Sequence, residues 1–403
     1  MGKDILERRV NMKSKYKKIV SLVLTSIFFI TIIFSVPQIA KAEESKGLDV
    51  EAKSAILIEP NSGEVLYEKN SKEKFAPASV TKVMTMLLTM EAVDSGKIKL
   101  SDKVTCSENA KKMGGSTMLL DTGEIRTVEE LLKGVGIASG NDAALALAEY
   151  LGGSEDGFIT MMNERAQSLN MQDTTFKNCT GLPATGHLTT AYDISIMSRE
   201  LLKHPTILKY TGTYMETIAE GRKSPIELVN HNKLVRFFKG CDGLKTGFTD
   251  EAKYCISATA VRDGVRVLAV IMGAPTYKIR NRDASMLMNY GFSKFYSKKI
   301  VSKDQEVEKV FLDRYKEKFF IAKACEDVNI TLPKGKEENI SFKLEFNEEK
   351  KSFKEGETIG TCKYYIGDKE IAQVKIYSDR EVKKGNFFEN MRYNIKNLLK
   401  GSI

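Results

Sequence analysis

The sequence predicts an α+β domain, then a small all-β domain, then a terminal amphipathic helix. Three observations carry this. Strand-type runs near 50–70 and 241–274 bracket helix-period segments, so distant pieces of chain must close one sheet. After about 300, short β-type runs alternate with Gly- and Lys-rich turns. From 381 onward, the apolar residues fall on one helical face. A chain of 403 residues exceeds what one core usually holds, and its 42% hydrophobic content is that of a globular protein.

The N-terminus accounts for most of the excess charge. Residues 1–42 carry eight Lys/Arg against two acids, a net +6 of the chain's +9, which leaves +3 for the remainder. A nearly balanced remainder gives no support to nucleic-acid binding. A basic stretch ending at Lys17-Lys18 precedes the uncharged run Ile19–Val36, then Pro37 and Ala40-Lys41-Ala42. This is the order of a secretory signal cleaved after Ala42, with Met12 opening a more typical basic region. The apolar run also approaches the length of a membrane span, so an uncleaved anchor is the alternative. Export follows from both.

The elements then follow in order. Ala55–Ile58 and Glu64–Tyr67, joined by Pro60-Asn61-Ser62-Gly63, read as a hairpin. Pro77-Ala78-Ser79 precedes an apolar run of helical length, Val83–Leu88. Thr127 and Glu130 form a capping box for a helix that stops near Ser139-Gly140-Asn141. A second helix runs to Gly152-Gly153, a third spans 156–168, and a fourth follows Tyr192-Asp193, with Asp193 as its cap. Val265–Met272 reads as a buried strand, and a helix at 278–297 closes the unit. The expected segments are thus 1–42 (signal), 43–298 (catalytic domain), 299–380 (all-β domain) and 381–403 (amphipathic helix).

The β-domain rests on Val310–Leu312, Phe319–Ile321, Ile340–Leu344 and Ala372–Ile376. In the tail, Phe387, Phe388, Met391, Ile395, Leu398 and Leu399 share a helical face, with a net charge of +3 around them. The tail is too short and too charged to span a bilayer. It fits a helix lying in a membrane interface; a helix packed on the β-domain is the alternative. The six cysteines contain no Cys-x-x-Cys, so zinc spacing is absent. A Cys325–Cys362 disulfide is conceivable outside the cell, beside six unpaired and mostly buried thiols.

The chemistry centres on Ser79-x-x-Lys82. This spacing puts a hydroxyl and an amine one helical turn apart on one face. A serine hydroxyl needs a base to become nucleophilic, and a lysine serves once burial or a neighbouring cation lowers its pKa. Ser14/Lys17 and Ser71/Lys74 share the spacing, but only Ser79/Lys82 opens an apolar helix. Ser139-Gly140-Asn141 lies at a helix–helix junction and Lys245-Thr246-Gly247 on a strand, at separations of 60 and 106 residues. A second serine can relay protons, an asparagine can hold a substrate amide, and a strand lysine can bind a terminal carboxylate while depressing the pKa of Lys82. Gly247 lets a substrate backbone lie against the strand.

This ordered set is the signature of the penicillin-binding proteins and serine β-lactamases. The stretches SAILIEPNSGEVLYEKN, APASVTKVMT, ELLKGVGIASGNDAALALAEYLGG, TGHLTTAYDISIMSREL and GCDGLKTGFTDEAKYCISATA resemble the low-molecular-mass D-alanyl-D-alanine carboxypeptidases with an added β-domain and C-terminal anchor. The resemblance is strong over 50–297 and looser to 403. It implies the β-lactamase/DD-peptidase-like fold, an antiparallel sheet flanked by helices with a helical subdomain. It implies that Ser79 is acylated with Lys82 as base, that Ser139 and Asn141 line the cleft, and that Lys245 and Thr246 hold the terminal carboxylate. The N–H groups of Ser79 and Phe248 would form the oxyanion hole. Lys253 departs from the family, which often has glycine there, and this bears on the turn after Gly247.

The implied activity removes the terminal D-alanine from peptidoglycan pentapeptide stems outside the cytoplasmic membrane, needs no cofactor or metal, and is blocked by β-lactams. The three histidines His187, His204 and His231 share no metal spacing, and His187 reads as structural or cleft-lining. A class A β-lactamase would place a glutamate three residues before Leu-Asn, and Glu164 stands too far from Asn170. A D,D-endopeptidase with the same catalytic set and a non-catalytic β-lactam sensor remain as alternatives.

Overall fold

The computed structural model describes residues 48–218, 224–312, 319–346 and 352–383. The expected signal segment 1–42, and residues 384–403 of the terminal helix expected at 381–403, lie outside these residues; within that segment Val382–Lys383 is a strand, held by its pairing with Ser352–Phe353.

Strands are numbered in chain order. β1 (Ser54–Ile58) and β2 (Val65–Lys69) form the expected hairpin. Its turn is held by the Glu59 carboxylate, which accepts from Asn61 N–H at 3.2 Å and Ser62 N–H at 2.6 Å. β3 (Lys103–Thr105) pairs with β4 (Ile125–Thr127), and β5 (Met215–Ile218) with β6 (Ile226–Val229). β7 (Cys241–Thr249), β8 (Lys253–Arg262) and β9 (Val265–Ala274) rejoin the hairpin in an antiparallel sheet of order β2-β1-β9-β8-β7. Early and late pieces of chain therefore share one sheet, as expected.

β9 shows why the sheet is central. Leu268, Val270 and Met272 point into one core, while Val267, Ala269 and Ile271 point into the other. Period-two alternation thus buries both faces. The helix Tyr277–Lys294 covers one face through Ala284, Leu287 and Met288. The other face meets the helical region, built around Lys82–Asp94. That helix is buried on nearly every side from Lys82 to Met90, as an all-round apolar sequence requires. Each such Leu, Met or Val contributes roughly 1.5–3 kcal/mol by leaving water.

The capping box forms as expected. Glu130 N–H donates to Thr127 Oγ1 at 3.2 Å and Thr127 N–H to Glu130 Oε2 at 2.9 Å, opening the helix Val128–Gly136. The next helices are Asn141–Gly152, ended by Gly153 at φ +73°, and Glu155–Ser168. The helix Ala191–Leu201 departs from expectation at its cap. Thr190 caps it by accepting Asp193 N–H, whereas Asp193 lies inside the first turn and is buried. Its carboxylate accepts from Asp173 N–H at 3.0 Å and Thr174 Oγ1–H at 2.7 Å, tying the preceding loop to the helix.

The β-domain begins at the end of the long helix. β10 (Phe295–Val301) pairs with β13 (Val328–Pro333), starting ahead of the expected boundary at 299. β11 (Glu306–Phe311), β12 (Phe319–Ala324), β14 (Ile340–Phe346), β16 (Thr358–Ile366) and β17 (Lys369–Ser378) form a sheet of order β11-β12-β17-β16-β14. β15 (Ser352–Phe353) pairs with β18 (Val382–Lys383). Phe320, Phe353, Cys362, Val374 and Ile376 form its core. All six cysteines are free thiols, and only Cys325 is not fully buried.

Candidate active site

Ser79 lies in a 3₁₀ turn, Ala78–Thr81, that runs directly into the Lys82–Asp94 helix. The sequence suggests an ordinary helical turn; the observed turn is tighter. At three residues per turn, positions i and i+3 eclipse, so Lys82 stands over Ser79 with Nζ 3.1 Å from Oγ. Lys82 is wholly buried and burial lowers its pKa to about 7. Nζ also donates to Asn141 Oδ1 at 2.6 Å and to Thr180 O at 2.7 Å. A neutral amine has two N–H bonds and one lone pair. With both N–H bonds given to Asn141 and Thr180, the lone pair is left for the Ser79 hydroxyl proton.

Ser139-Gly140-Asn141 fills the junction between two helices, with Ser139 buried at φ +62°. Asn141 Nδ2 donates to Gly114 O at 2.6 Å, and its backbone N–H to Ser116 O at 2.7 Å. The side chain expected to line the cleft therefore also orients the Lys82 amine. Asp142 beside it is buried and accepts from Met118 N–H at 2.9 Å and Leu120 N–H at 3.0 Å. The 114–120 loop is thus tied to the same short segment.

Lys245-Thr246-Gly247 lies on β7, the edge strand of the sheet. Lys245 is buried and donates to Thr246 O at 2.9 Å. Burial holds its pKa well below the usual lysine range, aided by the charges of Lys82 and Arg280. At Gly247 a Cβ would come within 3.0 Å of Pro77 O, Ala78 Cβ and Ser79 N. The missing side chain lets the strand touch the nucleophile turn. Phe248 is 49% exposed, with its ring 4.4 Å from that of Tyr254. The free edge of β7 offers backbone groups on which an extended peptide can lie as a further strand. Lys253 adopts φ +55°, the left-handed slot that glycine favours, and Ala252 N–H donates to Thr249 Oγ1 at 3.0 Å. The turn closes with lysine in glycine's conformation.

Of the expected site residues, Ser79, Lys82 and Asn141 are joined by hydrogen bonds, Gly247 lies against Ser79 N, and the charge of Lys82 acts on Lys245; Ser139, Thr246 and Phe248 sit beside these in sequence. Others join them unannounced. Thr180 acts through its backbone oxygen, which no side-chain motif reveals. Gly181, at φ +85°, packs so closely on Ala78 that a Cβ would overlap its carbonyl oxygen. Asn178 Oδ1 fixes this loop by accepting Gly181 N–H at 2.7 Å and Thr180 N–H at 3.1 Å. Arg280 is buried, its pKa lowered to about 10 by burial, and its charge acts on Lys245. Its one sequence signal is a position on the buried helix face shared with Ala284 and Leu287.

Comparisons with known proteins identify the family. Residues 39–276 match the D-alanyl-D-alanine carboxypeptidase family, and residues 295–384 match the C-terminal domain of penicillin-binding protein 5. The chain belongs to the D-alanyl-D-alanine carboxypeptidases. It is 42% identical to D-alanyl-D-alanine carboxypeptidase DacF of Bacillus subtilis over 373 residues, 92% of this chain and 96% of that one. Among solved structures it is similar to a peptidoglycan synthesis regulatory factor (PBP3) of Streptococcus pneumoniae, at TM-score 0.65 and 29% identity, over 82% of this chain and 99% of that one. It is also similar to penicillin-binding protein D2 of Listeria monocytogenes in its ampicillin-bound form, at TM-score 0.55 and 34% identity, over 61% of this chain and 99% of that one. This carboxypeptidase is a low-molecular-mass penicillin-binding protein and a serine-type D-Ala-D-Ala hydrolase.

Proposed function

We propose that this carboxypeptidase removes the terminal D-alanine of peptidoglycan pentapeptide stems through an acyl-Ser79 intermediate. The observation that carries the reading is the Lys82 amine, 3.1 Å from Ser79 Oγ and brought by burial to a pKa of about 7, with its other contacts to Asn141 and Thr180. Lys82 takes the Ser79 proton as Oγ attacks the penultimate D-alanine carbonyl. The N–H groups of Ser79 and Phe248 stabilise the oxyanion. The proton passes, with Ser139 as relay, to the leaving D-alanine nitrogen, and water then hydrolyses the ester. Lys245 and Thr246 hold the departing carboxylate, and Gly247 admits the substrate backbone. A β-lactam enters as an amide whose acyl-serine hydrolyses slowly.

Ser79→Ala tests the assignment. Labelling by fluorescent penicillin and D-alanine release from a defined pentapeptide should both vanish; surviving release would sink it. Products are read by mass spectrometry with and without penicillin.

We further propose a signal over 1–42, a catalytic domain from 43 to the end of the long helix at Lys294, an all-β domain from Phe295 to Lys383 and a membrane-surface helix beyond it. The enzyme would then work on the outer face of the cytoplasmic membrane. The basic-then-apolar N-terminus and the one-sided apolar face of the tail support this. Deleting 384–403 should release the mature enzyme from membranes; unchanged pelleting would assign the anchor to the N-terminal segment.

A further inference from the structure

His187 stands behind the nucleophile turn and outside the proposed catalytic steps. It is 3% exposed, with its ring edge-on to Phe176 at 5.9 Å between centroids. Its Nδ1 accepts from Lys177 N–H at 3.1 Å. A neutral imidazole has one donor nitrogen and one acceptor, so the proton resides on Nε2. Nε2 lies 2.9 Å from Thr81 Oγ1, which in turn donates to Ala78 O at 2.9 Å. The bonds run in one direction, from Lys177 N–H through His187 and Thr81 to the Ala78 carbonyl. Thr81 and Ala78 are buried as well. Burial and the Lys177 charge lower the His187 pKa to about 4, which keeps the ring neutral and the direction of the chain fixed.

The endpoint gives the chain its meaning. Ala78 C=O and Ser79 N–H belong to one planar peptide unit, so fixing the oxygen fixes the direction of the N–H. That unit needs holding, because Ala78 has φ +47°, which costs an alanine roughly 1–2 kcal/mol. Gly181 packs against the same carbonyl and Gly247 against Ser79 N, so the plane is gripped from two sides and anchored from behind.

We propose that His187, acting through Thr81, is a positioning residue that aims the Ser79 N–H into the oxyanion hole. This rests on Ser79 being the nucleophile. Neither residue touches substrate; the effect passes through the Ala78–Ser79 peptide plane.

Four variants test it: His187→Leu, Thr81→Val, the double variant, and His187→Gln, whose amide can accept from Lys177 N–H and donate to Thr81. Thr81→Val leaves the imidazole in place and keeps the test open should His187→Leu not fold. The readouts are kcat and KM for D-alanine release, penicillin acylation, and affinity for a peptide boronic acid that mimics the oxyanion. Each single variant should lower kcat about 10- to 100-fold with KM within about two-fold, since one misaimed oxyanion donor costs less than its complete removal. Boronic-acid affinity should fall in parallel, and the pH at which Lys82 titrates should not move. The double variant should be no worse than the singles, and Gln should recover most of the loss. The proposal is overturned if a folded single variant keeps acylation within about two-fold, if the loss sits in KM, if the two effects multiply, or if Gln is no better than Leu. Residual labelling in His187→Leu should still map to the Ser79 peptide; labelling that survives Ser79→Ala would remove the nucleophile assignment instead.

Discussion

Replacing Lys82 by methionine tests whether the enzyme carries a neutral lysine at its centre. The Lys82 pKa falls from 10.5 to about 7 on folding, because burial disfavours the ammonium. Below pH 7 the amine is protonated in both states, and the folded state bears the whole desolvation penalty. The shift corresponds to about 5 kcal/mol at 1.36 kcal/mol per pH unit. Between pH 7 and 10.5 the unfolded chain binds the extra proton, so wild-type stability rises with pH across that window. Methionine has similar length and no charge, and loses the contacts to Ser79, Asn141 and Thr180 at about 1 kcal/mol each. The net expectation is a variant about 1–2 kcal/mol more stable than wild type near pH 6 and devoid of acylation. Wild type should regain about 3 kcal/mol on the variant between about pH 6 and about pH 9. Urea unfolding at the two pH values measures the difference, with penicillin labelling alongside. A stability difference that does not change with pH would mean that folded Lys82 titrates like a free lysine. The argument for its role as base would then fail.

Other outcomes follow from single contacts. Acylation should rise with pH through about 7 as Lys82 loses its proton, and a pH–rate profile with the Lys82 limb near 10 would contradict the burial argument. Ser54 Oγ is the one buried side-chain polar atom lacking a hydrogen bond among the described residues, so Ser54→Ala should gain about 1 kcal/mol in urea unfolding and leave labelling intact. Asp142→Ala strands the Met118 and Leu120 N–H groups and should cost about 3 kcal/mol, with slower acylation as the 114–120 loop loosens. Gly181→Ala places a methyl on the Ala78 carbonyl at φ +85°; it should cost more than about 2 kcal/mol and nearly abolish labelling. His187 is neutral when folded down to about pH 4, against 6.5 for the free side chain. As pH falls from 6.5 toward 4 the unfolded state binds the extra proton, so His187 should contribute a drop of up to about 3 kcal/mol; His231, lowered to about 4 as well, contributes a similar one, so His187→Gln should remove about half of that limb.

Much of the fold was legible because the sheet and helices carry their own periodicities. The Pro60–Gly63 turn, the Thr127/Glu130 box and the apolar strand at 265–272 are local signals, and each forms where expected. Errors occurred where a partner far away in sequence decides. Asp193 reads as a cap because acids favour helix starts, but Thr190 takes that place and Asp193 binds the 173–174 loop. β10 looked like the end of a helix because its partner, β13, lies more than thirty residues on.

The site divides the same way. The residue types and order of Ser79, Lys82, Ser139, Asn141, Lys245, Thr246 and Gly247 suggested the proposed chemistry by themselves, because the roles of nucleophile, base, relay and carboxylate binder rest on side-chain properties. Tertiary structure alone decided that Lys82 loses its proton near pH 7, since its pKa depends on burial that no motif records. It alone recruited the Thr180 carbonyl, the buried Arg280 and the His187–Thr81 chain, because backbone oxygens and second contacts act by position and carry no signature in the sequence.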